Sequence, residues 1–186
     1  MKILAISGSP RLKGNTNYLV DQALSEAARL GAQTEKIVLS RYKVNPCLGH
    51  DNCATFDSCK QKDDTGWILD KLCEADGAIL ATPVYYYNVS AQMKAFIDRN
   101  YFPYKHGRKY QARAVGIIVL ARKVGNEDTL HTLRQFVDVL FDINADKELI
   151  VHGYAGRIGD AKNNLPLVEE ARKLGRQMVA SLKEVS

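Results

Sequence analysis

The chain has 186 residues, 46% hydrophobic and 25% charged, with 13 Gly and 5 Pro, a composition of globular domains rather than of disordered or fibrous chains. That length suits a single domain over 1–186, with roughly 70% of the unfolded surface buried on folding and no need of disulfide staples. The 26 Lys plus Arg against 21 Asp plus Glu leave a net +5, a modest excess that suits anionic small molecules as well as nucleic acid; no run of about 18 apolar residues reads as a membrane span, and the first apolar stretch is too short for a signal peptide, so a cytoplasmic location with no membrane partner is expected.

The first β-type run, Lys2–Ser7, leads into Ser7, Gly8, Ser9, Pro10, Arg11, Leu12, Lys13, Gly14, Asn15, Thr16 and Asn17. Such a turn-rich segment feeding a helix offers backbone N–H groups and the helix dipole to an anion. Ser9, Asn15, Thr16 and Asn17 add hydrogen bonds, and Arg11 and Lys13 add charge. The spacing of neither a nucleotide-hydrolysing P-loop nor a dinucleotide fold is present, so a monophosphate fits better than a triphosphate. The plainer alternative is a βα turn with an N-cap.

Leu19, Val20, Ala23, Leu24 and Ala27 then follow helical spacing, stopped by Gly31. A second strand is expected over 34–39. The irregular connection from about 40 to 63 is long enough to expect a function. It carries Cys47, His50, Cys53 and Cys59 as C-x2-H-x2-C-x5-C. Three thiols and an imidazole suit an iron-sulfur cluster with one histidine ligand or a zinc ion; unligated thiols in a reducing compartment are the other alternative. Next come a helix from Asp64 or Thr65 bearing Ile68, Leu69, Leu72 and Cys73, with Cys73 packed in the core, and a strand over 77–82.

The segment Pro83, Val84, Tyr85, Tyr86, Tyr87 and Asn88 follows. Three consecutive tyrosines on an extended loop point in different directions, so at least one ring is free to pack on a flat ligand or on a second subunit. Ser90 caps a third helix with Met93, Phe96 and Ile97 inward. Between Arg99 and Arg113 stand five basic residues and no acidic one, a solvated loop or an anion contact. Strands over 114–120 and 148–152 alternate with a helix carrying Leu130, Leu133, Phe136, Val137 and Leu140. A last helix carries Leu165, Val168, Ala171, Leu174, Met178 and Leu182.

Five alternations, with strands apolar on consecutive positions, describe a three-layer, doubly wound α/β fold with five parallel strands in the order 2-1-3-4-5. Ligands in such sheets bind beyond the carboxyl ends of the strands, which directs attention to the loops after strands 1, 3 and 4. His106, His131 and His152 have no partners at catalytic spacing, and no G-x-S-x-G or H-E-x-x-H is present, so hydrolase chemistry loses support.

The pieces G-S-P-R-x-x-G-N-T (8–16), D-D (63–64), A-D-G-A-I-L-A-T-P-V-Y (75–85) and S-A-Q-M-K-A-F-I-D-R (90–99) together resemble the flavodoxin-like NAD(P)H-dependent FMN reductases, within them the iron-sulfur flavoprotein branch. The resemblance covers most of residues 1–100; the remainder is compatible with it. It implies that Ser9, Arg11, Asn15, Thr16 and Asn17 hold the FMN phosphate and that Pro83 to Asn88 line the isoalloxazine ring. The branch carries a compact run of four cysteines where this chain has His50 in second place, and the family often has a Gly-rich loop where this chain reads Ala121, Arg122, Lys123, Val124, Gly125 and Asn126. The expected activity is electron transfer from NAD(P)H through bound FMN to a quinone, free flavin or iron centre, by a ping-pong scheme that requires no side-chain acid or base. The other class to weigh is an electron-transfer protein without its own nicotinamide site. Partners are expected to be a small-molecule acceptor or redox protein, not nucleic acid, and the resemblance implies a homodimer or homotetramer.

Overall fold

The computed structural model describes residues 1–141 and 148–184. Five strands, β1 (Lys2–Ser7), β2 (Gln33–Val38), β3 (Gly77–Pro83), β4 (Ala114–Ala121) and β5 (Glu148–Tyr154), form one sheet in the order β2-β1-β3-β4-β5, with every pairing parallel. Ile6 pairs with Leu80, Leu80 with Ile117, and Ile117 with Ile150. The three inner strands are buried almost throughout, which is why they read as unbroken apolar runs.

Alternate residues serve the two faces. Leu4, Ile6, Leu80, Ile117 and Val119 pack with α2 (Thr65–Cys73), α3 (Ala91–Arg99) and α5 (Asn126–Leu140). Ile3, Ala5, Ile79, Ile118 and Leu120 pack with α1 (Asn15–Arg29) and α7 (Leu165–Lys183). Burial contributes about 1.5–3 kcal/mol for each large aliphatic side chain, so neither face is dispensable. A β-carbon on Gly175 would lie 2.2 Å from the Ala23 carbonyl oxygen; α7 therefore rests backbone to backbone on α1, the helix that begins at the anion-type loop.

The fold class and strand order agree with the sequence expectation. Differences lie at the element ends and in short helices. Leu39, buried at 1% exposure, leaves β2 for a 3-10 turn over Leu39–Arg41, closed by Tyr42 N donating to Leu39 O at 3.1 Å. Two one-turn helices, α4 (Tyr101–Lys105) and α6 (Asp160–Asn163), are too short to show a 3.6-residue period. Arg99, first of the basic stretch, is not on a surface loop at all: its side chain is 3% exposed and paired with Asp63. No helix of the described residues is long and apolar enough to cross a membrane.

Candidate flavin site

At the carboxyl ends of the strands lies a cleft of about 380 Å³, within the range of small-ligand pockets. Ser9, Arg11, Gly14, Asn15 and Thr16 form one wall; Pro83, Val84, Tyr85 and Tyr86 form the other; Leu120, Arg122, Ala155 and Gly156 close the base.

The first wall is folded by its own backbone. Gly8 N donates to Ala81 O at 2.8 Å, and Ser90 Oγ donates to Gly8 O at 2.6 Å while accepting from Met93 N as the α3 cap. Glycine is required at position 8, since a β-carbon there would sit 2.6 Å from that of Met93. The loop then turns around the Arg11 carbonyl, which accepts from Gly14 N at 2.9 Å and Asn17 Nδ2 at 2.9 Å. Helix α1 starts from Gly14 with no side-chain cap and no acidic residue in its first turn. An uncapped helix start free of acids, with Arg11 beside it, favours an anion.

The second wall is a tight turn. Tyr85 N donates to Asn88 O at 2.9 Å, and Asn88 N donates to Tyr85 O at 3.1 Å. Tyr86 and Tyr87 between them have φ of 49° and 62°, the two left-handed positions of a type I′ turn. Bulky residues rarely adopt these angles. Tyr86 is fully exposed. Gly125, itself at φ 93°, supports the turn from below; a β-carbon there would lie 2.8 Å from Val84 Cγ1 and 3.0 Å from Tyr87 Cα.

Of the twelve residues expected to meet the cofactor, the cleft brings together Ser9, Arg11, Asn15, Thr16, Pro83, Val84, Tyr85 and Tyr86. Lys13 is exposed outside it. Asn17 lies behind the loop, 1% exposed, its Oδ1 without a partner. Tyr87 packs over Gly125, and Asn88 closes the turn and accepts from Val89 N at 2.8 Å. The side chain of Asn15 is engaged elsewhere: Nδ2 donates to Arg157 O at 2.7 Å, and Oδ1 accepts from Gly159 N at 3.0 Å and Ala161 N at 3.3 Å. It fastens α1 to the loop after β5. Ala155 and Gly156, in that loop, were not anticipated from sequence, although the strand-end rule applies to β5 as much as to its neighbours.

The cysteine loop is organised by protein contacts. Cys53 is 4% exposed and its thiol donates to the His50 carbonyl at 3.2 Å. Burial, with Cys47 and Cys59 nearby, pushes the Cys53 thiol above its usual range. The His50 ring packs edge-on to Phe56. Cys59 Sγ accepts from Arg99 Nη2 at 3.4 Å, and the same guanidinium holds Asp63 and the Asn45 carbonyl. Burial pushes the Asp63 carboxyl up, but Arg99 and the Asn45 and Thr65 amides outweigh it and hold Asp63 below the usual carboxylate range. Among the described residues no three Cys, His, Asp or Glu side chains converge on a common point for a metal ion. Cys47, His50, Cys53 and Cys59 thus do not fit an iron-sulfur cluster or zinc in this arrangement.

A doubly wound sheet in this order, with an anion-ready helix start facing an aromatic turn, defines a flavodoxin-like protein. The family model for NADPH-dependent FMN reductase matches residues 1–155, and the chain belongs to that family of oxidoreductases. It is 36% identical to an iron-sulfur flavoprotein of Methanocaldococcus jannaschii over 98% of both chains. It is also 33% identical to an iron-sulfur flavoprotein of Methanosarcina thermophila, covering 75% of this chain and 74% of that one. Among solved structures, an NAD(P)H:quinone oxidoreductase from Methanothermobacter marburgensis superposes with a TM-score of 0.73 at 13% identity, covering 95% of this chain and 98% of that one, a likeness of fold.

Proposed function

We propose that the protein binds FMN in this cleft and carries electrons from NAD(P)H to a small-molecule or protein acceptor such as a quinone, free flavin or iron centre. One observation supports the reading above others: the uncapped, acid-free start of α1 with Arg11 stands across a 380 Å³ cleft from the tyrosine turn. One wall suits a phosphate and the other a planar ring. When bound, FMN supplies the redox chemistry, accepting hydride from NAD(P)H and releasing two electrons to the acceptor.

The residues of the chain supply position and field. The backbone N–H groups of Asn15 and Thr16 and the Arg11 side chain take the phosphate; Ser9 and Asn17 keep the Arg11 segment turned so that those groups converge; Lys13, exposed outside the cleft, adds positive field to that side of it. Pro83, Val84, Tyr85 and Tyr86 lie along the ring, with the backbone turn held by the Tyr85 and Asn88 bonds and Tyr87 anchored on Gly125. No electron step is routed through the cysteine loop. A homodimer or homotetramer has a candidate contact face in the apolar groove of about 490 Å³ between α3, α4 and α5, lined by Ile97, Tyr101, Tyr104, Phe136 and Val139, and a solution mass tests it.

The test is direct. Purified protein titrated with FMN should quench its fluorescence and gain thermal resistance, and the holoprotein should oxidise NADH or NADPH in the presence of an acceptor. Absence of FMN binding overturns the reading. Binding without oxidation of either nicotinamide, together with reduction by a low-potential ferredoxin, replaces the enzyme by an electron carrier.

A further inference from the structure

Arg122 is the first residue beyond β4 and forms part of the base of the cleft. Its stem lies along Gly156, where a β-carbon would be 3.3 Å from Arg122 Cγ and 3.7 Å from Nε. The carboxylate nearest to that glycine, Asp160, is committed to the Gly156 and Arg157 amides at 3.0 and 2.6 Å. Among the described residues Arg122 makes no ion pair and no hydrogen bond, and the cleft lining contains no Asp or Glu. Arg122 is exposed and the Asp160 carboxylate lies beyond Gly156 from it, but the cleft lining itself carries two arginines and no carboxylate, a balance that favours an anionic ligand.

Two arginines therefore serve one cleft, and FMN has two places where negative charge resides. Arg11 belongs to the phosphate wall. Arg122 follows the end of β4, where Val84 N donates to Leu120 O at 2.8 Å and Pro83 pairs with Leu120, so its backbone adjoins the tyrosine loop while its side chain runs over Gly156. Hydride from NAD(P)H brings two electrons and one proton to a neutral ring, so reduction leaves one negative charge there, and oxidised NAD(P)+ departs. Charge near the flavin ring is a principal means by which a protein tunes that cofactor.

We propose that Arg122 holds the charge that reduction places on the ring, so that the cleft binds reduced FMN more tightly than oxidised FMN. The inference rests on the FMN reading. A charge-assisted hydrogen bond gained only on reduction gives about a tenfold preference.

The experiment compares the wild-type holoprotein with Arg122→Gln and Arg122→Lys. Midpoint potentials are obtained by dye-coupled titration, and affinities for oxidised FMN and riboflavin by fluorescence. Arg122→Gln should lose about a tenfold preference for the reduced state, read as a fall of about 30 mV in the two-electron potential, with oxidised FMN and riboflavin affinities changed by less; Arg122→Lys should keep most of the potential. An unchanged potential overturns the inference. So does loss of FMN affinity with riboflavin unaffected, which assigns Arg122 to the phosphate, or a higher KM for NADPH alone, which assigns it to the nicotinamide substrate. Failure of the wild type to bind FMN is a separate result and defeats the function itself.

Discussion

Replacing Tyr86 by Asn should raise the unfolding temperature of the apoprotein. Tyr86 holds a φ of 49°, and an L-residue in the left-handed region costs about 1–2 kcal/mol. Asn tolerates that region far better, because its short side chain bonds locally. Nothing offsets the gain: the Tyr86 side chain is fully exposed, and the bonds that close the turn run between the Tyr85 and Asn88 backbones. The net stabilisation is about 1 kcal/mol, which for a chain of this size is about 2–4 °C. Tyr86→Ala removes the same ring while keeping a β-carbon at the same φ, so it should unfold at the wild-type temperature. Circular dichroism melts of the three proteins without cofactor decide the matter. Equal unfolding temperatures for the Asn and Ala variants would refute the claim that the turn is strained. Both variants should bind FMN more weakly, since both lose a ring from the cleft wall.

The buried Arg99 and Asp63 pair gives a second expectation: Arg99→Gln alone should destabilise by about 3–5 kcal/mol, by leaving a buried carboxylate uncompensated, as measured by urea unfolding near neutral pH. Because the folded Asp63 pKa is depressed, its contribution is complete above the ordinary carboxylate value of about 3.9 and is lost as pH falls through the lower folded value. Asp63→Asn should therefore flatten stability in that acid window, and an unchanged acid limb argues against the pair. Asn15→Ala removes three bonds to the segment after β5; faster amide exchange at 157–161 with weaker FMN binding is expected, whereas loss of affinity without faster exchange would make Asn15 a phosphate ligand instead. Gly8→Ala forces the β1–α1 loop away from Met93 and should weaken FMN binding at least about tenfold, the scale of one disturbed charge-assisted contact, by fluorescence titration.

The sheet was legible because the inner strands are covered on both faces, so Ala78 to Ala81 and Ile117 to Leu120 carry no polar interruption. The two loops of the cleft were legible because Gly14 before α1 and Ser90 before α3 are local signals. What stayed hidden depends on long-range contacts. Nothing near Asn15 in sequence reveals that its amide is taken by residues more than 140 positions away, nor does the basic run containing Arg99 reveal the carboxylate of Asp63 that draws it into the interior. Arg122 stood out as a departure from a Gly-rich loop, but its place at the base of the cleft required the pairing of β3, β4 and β5.

The Asn15 clasp also bears on when the protein becomes able to load its cofactor. The segment after β1 is synthesised more than 140 residues before the residues that fasten it, Arg157 to Ala161. A nascent polypeptide halted before β5 carries the β1–α1 loop without its buckle, so that wall of the cleft is not fastened until the segment after β5 has been made.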